Sequence, residues 1–132
     1  MNDFERFLNP ERKPNIRFVL SEDFVDENGK PLVWEIRQLS AAEGMEIERL
    51  NADRGDAEVL IALAASSLVV PDLSDQKLLE ALSEKSKTTV LSPAQAAKAM
   101  LTMAELFKLM KVYHSFCKMG ESVDELIAKA KN

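Results

Sequence analysis

The sequence predicts an α+β fold, in which an N-terminal β-hairpin packs against a mainly α-helical domain of about five to six helices. Three observations predict it. Two short runs of alternating apolar residues flank a turn signal at residues 26–30, a series of helix-capping boxes follows them, and residues 59–70 form one almost wholly apolar stretch. The expected organisation is an N-terminal arm over residues 1–14 and a single α+β domain over 15–132, with the hairpin at about 15–38 and the helices at about 40–132.

Residues 1–8 can form a helical turn behind Asp3 with Phe4, Phe7 and Leu8 on one side, and Asn9-Pro10 and Lys13-Pro14 stop it. The arm can dock on its own domain or on a neighbour; terminal aromatics usually serve local packing, so docking on its own core is expected. In the hairpin, a two-residue turn at Asn28-Gly29 would set Trp34 opposite Asp23, an apolar residue beside a polar one. A three-residue loop, Glu27-Asn28-Gly29 with Gly29 left-handed, instead sets Phe24 opposite Leu32, Glu22 opposite Trp34 and Leu20 opposite Ile36. One face then carries Phe18, Leu20, Phe24, Leu32, Trp34 and Ile36, and a hairpin alone is marginal, so the helices must cover it.

Ser40 and Glu43 form a capping box that starts a helix running to about Asp53 and ending at Gly55, with Met45 and Leu50 inward and Ile47 beside them. Asp56 caps the next helix, apolar nearly all round to Val70 apart from two serines and stopped by Pro71. It is too short to span a bilayer and reads as the central buried helix. Ser74 caps a shorter helix through Leu78, Leu79 and Leu82, followed by a polar connector over residues 84–88. Ser92-Pro93-Ala94-Gln95 starts another helix. Propensity favours its continuing unbroken to Cys117, while Thr102-Met103-Ala104-Glu105 is a second capping box inside it, so both forms stay open. Gly120 ends the run, and Ser122 with Glu125 starts a last amphipathic helix through Val123, Leu126 and Ile127.

With 132 residues, 46% hydrophobic and 30% charged, the chain is one globular domain's worth rather than a disordered segment. Its net charge of -5 argues against nucleic acid, whose phosphates are bound by clustered cations. The acidic start without an apolar run predicts no signal peptide, and the single Cys117 excludes an internal disulfide and suits a reducing cytoplasm.

Catalytic ingredients are sparse. His114 and Cys117 stand three apart, the spacing of a thiol and its base or half a metal site, but two ligands do not make a zinc site and no third orienting group accompanies them. Cys117 reads as a small core residue and His114 as partly exposed. Asp26-Glu27-Asn28-Gly29 lacks the ligand spacing of a calcium loop, and no phosphate-binding or zinc-protease motif occurs. The chain is therefore read as no enzyme, with no cofactor and no metal. The stretch 96–116 carries more apolar side chains than one core stripe needs. A surplus face over Met100, Met103, Phe107 and Met110 is the candidate surface for a partner helix.

The order of several elements carries a resemblance. Phe7-Leu8-Asn9-Pro10, Asp26-Glu27-Asn28-Gly29-Lys30-Pro31, Trp34-Glu35-Ile36-Arg37 and Leu39-Ser40 are followed by Ile61-Ala62-Leu63-Ala64-Ala65, Val69-Val70-Pro71-Asp72-Leu73, Lys98-Ala99-Met100-Leu101 and Asp124-Glu125-Leu126. In this order they resemble the XkdN-like phage tail assembly chaperones over nearly the whole chain. The resemblance implies a non-enzymatic phage or prophage protein that binds the tape measure protein and keeps it soluble while the tail tube forms. It further implies a place in the cytoplasm of the bacterial host and absence from the mature virion. It also implies a break near Thr102, often at Pro-Gly, a breaker this chain does not have. A small structural tail or connector component, assembling through a hairpin edge, is the alternative, and self-association stays open. Neither nucleic acid nor membrane is an expected partner.

Overall fold

The computed structural model describes residues 2–117. Among these are six helices and a small antiparallel sheet: α1 (Asp3–Leu8), β1 (Ile16–Phe18), β2 (Trp34–Ile36), α2 (Ala41–Asn51), α3 (Asp56–Ser66), β3 (Leu68–Val70), α4 (Gln76–Ser86), α5 (Pro93–Met100) and α6 (Met103–Cys117). The fold is α+β as expected. The predicted helix after Gly120 lies outside the described residues.

The hairpin turn forms as the sequence dictates. The Asp26 carboxylate accepts the Asn28 and Lys30 N–H groups at 2.8 and 2.9 Å, Gly29 takes φ +78°, and Leu32 N–H donates to the Phe24 carbonyl at 2.7 Å. Beyond the turn the register departs from expectation. Ile16 pairs with Ile36 and Phe18 with Trp34, four residues away from the predicted pairing of Leu20 with Ile36 and Glu22 with Trp34. Residues 19–23 leave the ladder, Asp23 N–H turning back to the Ser21 hydroxyl at 3.0 Å. This excursion buries Leu20 in the core and hands the Val19 carbonyl to Lys108 of α6 at 2.9 Å, a better use of both groups than continued pairing. Leu32, placed on the buried face by the sequence, is exposed, while Trp34 and Ile36 are buried.

The sheet has a third strand. The apolar stretch predicted as one helix to Val70 stops at Ser66, and Leu68–Val70 pairs antiparallel with β2, giving the order β1-β2-β3 with a bulge at the β2–β3 pairing. Arg37 N–H donates to the Ser67 carbonyl at 2.9 Å, and the fully buried Ser67 hydroxyl donates to Ala64 O at 2.6 Å, so the helix end is satisfied internally. The physical reasons are local: Val69 and Val70 are β-branched, and a residue preceding proline is disfavoured in the helical region. On the outer face of the sheet Arg17 and Asn15 hold Glu35 at 3.0 and 3.1 Å.

The helix α3 sits at the centre, with α2, α5 and α6 against it. Its Ala62, Ala64 and Ala65 and the Ala94, Ala96 and Ala97 of α5 are all buried, and such small side chains let the two helices approach closely. Against expectation, α2 turns Met45 and Leu50 to solvent. Its inward stripe is the narrower Gly44, Ile47 and Asn51, at i, i+3, i+7, and Asn51 is accommodated because its amide donates to Ile47 O at 2.8 Å. Caps fall one residue from prediction in places: Asn2 rather than Asp3 caps α1, Gly55 precedes α3 with Asp56 inside it, and Asp75 rather than Ser74 caps α4. Ser74 is occupied instead, donating both its N–H and its hydroxyl to Asp72. The predicted connector at 84–88 is helical through Ser86 and ends at Lys87, φ 57°.

The Ser40–Glu43 box forms as expected and gains Arg37, whose guanidinium grips the Glu43 carboxylate at 2.7 and 3.1 Å. Arg37 first, then the Ser40 N–H, hold the Glu43 carboxyl at about 2, far below its ordinary 4.5. A carboxyl whose pKa is lower when folded contributes stability above its unfolded pKa and loses it as pH falls toward the folded value. Acidification from about pH 4.5 to 2 should therefore destabilise α2. Carboxyl NMR should find Glu43 titrating abnormally low, and Arg37→Ala should return it toward the ordinary range while costing under about 1 kcal/mol, the pair being half exposed.

Candidate partner-binding surface

The structure resolves the ambiguity at Thr102 in favour of a break. Leu101 is extended at φ -107°, ψ 146°, and α6 starts afresh: Glu105 N–H donates to the Thr102 hydroxyl at 3.2 Å, and Thr102 N–H donates to Glu105 Oε1 at 2.8 Å. The reciprocal box does the work of a Pro-Gly breaker. Glu105 is buried, and the Ser21 hydroxyl first, then the Thr102 N–H, hold its carboxyl below the usual range. The Ser21 contact falls short of hydrogen-bond geometry, leaving Oε2 buried without a formal partner.

The new helix is two-sided. Leu106, Leu109, Tyr113 and Phe116, at i, i+3, i+7, i+10, are buried against the body. The other side carries Met103, Phe107, Lys108, Lys111 and His114, all exposed. Met103 is 67% and Phe107 58% exposed, one helical turn apart. Of the four residues the sequence singles out, these two form the surface. Met110 lies at its border, half-buried on the core, and Met100 ends α5 on the far side of the break, also packed against the core. Two lysines missed in the sequence share the face, and a charge inventory of the helix could have found them.

A second apolar surface, also missed, surrounds the groove between α2 and the start of α5, lined by Ile47, Leu50, Leu91 and Pro93, with Leu91 exposed. Hydrophobic periodicity gave no signal for it, because Leu50 falls equally well on an inward stripe. The arm is the third: Phe4, Phe7 and Leu8 of α1 are exposed, so they are not docked on the body as expected. A six-residue helix, capped by Asn2 at one end and Asn9 at the other, has too little apolar surface in reach to offset ordering the two-proline connector.

Chemistry of other kinds finds little support. His114 stands in solvent while Cys117 packs against the core, and they share no enclosed site. Tyr113 beside them is pushed up to about 12, by burial first and by Cys117 second. Among the described residues no three His, Cys, Asp or Glu side chains are grouped to hold a metal ion, and no helix is long and apolar enough to cross a membrane.

A family model described as phage XkdN-like tail assembly chaperone protein matches residues 4–131. The crystal structure of the protein yqbn is similar in fold, with a TM-score of 0.69 over 88% of this chain and 96% of that one, at 19% sequence identity. No curated protein matches the sequence.

Proposed function

We propose a chaperoning mechanism from one premise: this chain belongs to the phage XkdN-like tail assembly chaperone family. Membership gives it a role in phage tail assembly, in a family that is not a known enzyme class. The finer reading is that it acts without catalysis, binding the tape measure protein in the host cytoplasm, keeping it soluble while the tail tube forms, and staying out of the finished particle. The observation that carries this reading is Met103 and Phe107, open to solvent on a helix whose other side is committed to the core. Apolar side chains one turn apart on the open side of a helix are the kind of feature that a partner helix uses. A long helical partner exposes apolar stripes before it is enclosed. A small acidic domain covering such stripes reversibly lends the complex its net charge of -5 and hence solubility.

Co-expression with the tape measure protein of the same gene cluster tests this. The tape measure should be soluble and retained on the tagged chain only when the two are made together. Finding this chain at stoichiometric copy number in purified tails would overturn the reading in favour of a structural component.

A further inference from the structure

We propose that the exposed face of α6 receives an acidic amphipathic helix, its apolar stripe on Met103 and Phe107 and its carboxylates on Lys111. This deepens the chaperone reading and rests on it, naming the chemistry of the partner segment.

Charge and packing carry the inference together. The chain is acidic, with 22 Asp and Glu against 17 Lys and Arg, yet the outer side of α6 presents Lys108 and Lys111 and no carboxylate. The one acid of the helix, Glu105, is turned inward and spent on the Thr102 cap. Among the described residues neither lysine reaches a carboxylate, although Arg17, Arg37, Arg49 and Lys98 each do. Glu22 and Asp23, exposed on the neighbouring excursion, make no ion pair with them either. Lys108 is anchored by the Val19 carbonyl, which leaves Lys111, one turn beyond Phe107, as the cation of this face with no partner among the described residues.

A ligand for this face must bring apolar groups to the first turn and a half of α6 and negative charge to the next turn. An amphipathic helix with acids flanking its stripe does both, placing side chains three and four apart on one side. Met103 is unbranched and adapts to varied stripes, and Phe107 is a stiffer anchor, which suits recognition of successive segments of a long helix. A basic helix would meet like charge at Lys111.

The test uses the full chain with the co-expressed tape measure protein, comparing wild type with Phe107→Ser, Lys111→Glu and Lys111→Met. Both Phe107→Ser and Lys111→Glu should weaken retention about tenfold or more while leaving thermal unfolding unchanged, since both sites are exposed. Raising salt from about 0.05 to 0.5 M should weaken wild type severalfold and leave Lys111→Met nearly unmoved. Retention that survives Phe107→Ser and Lys111→Glu overturns the proposal while the chaperone reading stands. Tighter binding by Lys111→Glu overturns it by showing a basic partner, and gel filtration in which Phe107→Ser only converts an oligomer to monomer reassigns the face to a second copy. Failure of wild type to retain the tape measure takes both readings down.

Discussion

Replacing Trp34 with alanine should lower the unfolding free energy by about 3 to 5 kcal/mol, measured by urea titration followed by circular dichroism. Trp34 is 2% exposed on the central strand of the sheet, opposite Phe18, and its ring meets Phe24 edge-on with centroids 5.3 Å apart. The edge-on contact adds to the burial, because the positive edge of one ring meets the negative face of the other. No neighbour is free to collapse into the vacated space: Phe18 is fixed by the ladder, and Phe24 by the turn that Asp26 and Gly29 hold. Phe24→Leu should cost far less, about 1 kcal/mol, since it removes the ring contact and keeps most of the volume. A loss below about 1 kcal/mol for Trp34→Ala would mean the sheet is not the floor of the core.

Leu109→Ala is expected to cost about 2 to 5 kcal/mol in the same measurement. Leu109 is wholly buried at the middle of the inward stripe of α6, and its removal leaves a cavity that the flanking Leu106 and Tyr113, each one turn away and already packed, have no freedom to fill. Phe107→Ser, two positions earlier on the opposite side, should change stability by under about 0.5 kcal/mol. The contrast separates the two sides of one helix by measurement. Equal losses at both positions would show that Phe107 is packed, and that the face assigned to a partner is in fact core.

Local chemistry was readable in advance where the interaction is itself local. The Ser40–Glu43 and Ser92–Gln95 caps, the Asp26–Gly29 turn and the break at Thr102 each depend on residues no more than four apart, and each could be named from sequence. The break stayed undecided only because propensity and cap pointed opposite ways. What sequence reasoning misplaced depends on groups far along the chain. The four-residue displacement of β1 follows from Leu20 finding the core and from Lys108 taking the Val19 carbonyl, 89 residues away. The strand at Leu68–Val70 looks like a helix end until β2 offers it a ladder. For the candidate surface, Met103 and Phe107 were recognisable as surplus apolar residues. That Met100 and Met110 turn toward the core, and that Met45 and Leu50 turn away from it, depends on how α5, α6 and α2 lean on α3.

The contact between Val19 and Lys108 also orders events in time. Ile16 lines a surface depression with Val112, Ser115 and Phe116, so the first strand and the excursion after it meet the last described helix. During synthesis at roughly 5–20 residues per second, the 89 residues separating the partners take about 4 to 18 s to add, and the early hairpin waits that long for its cover. Until α6 emerges, the Val19 carbonyl has no Lys108 to close the excursion after the first strand. Slower translation of the last third of the chain should lengthen that wait.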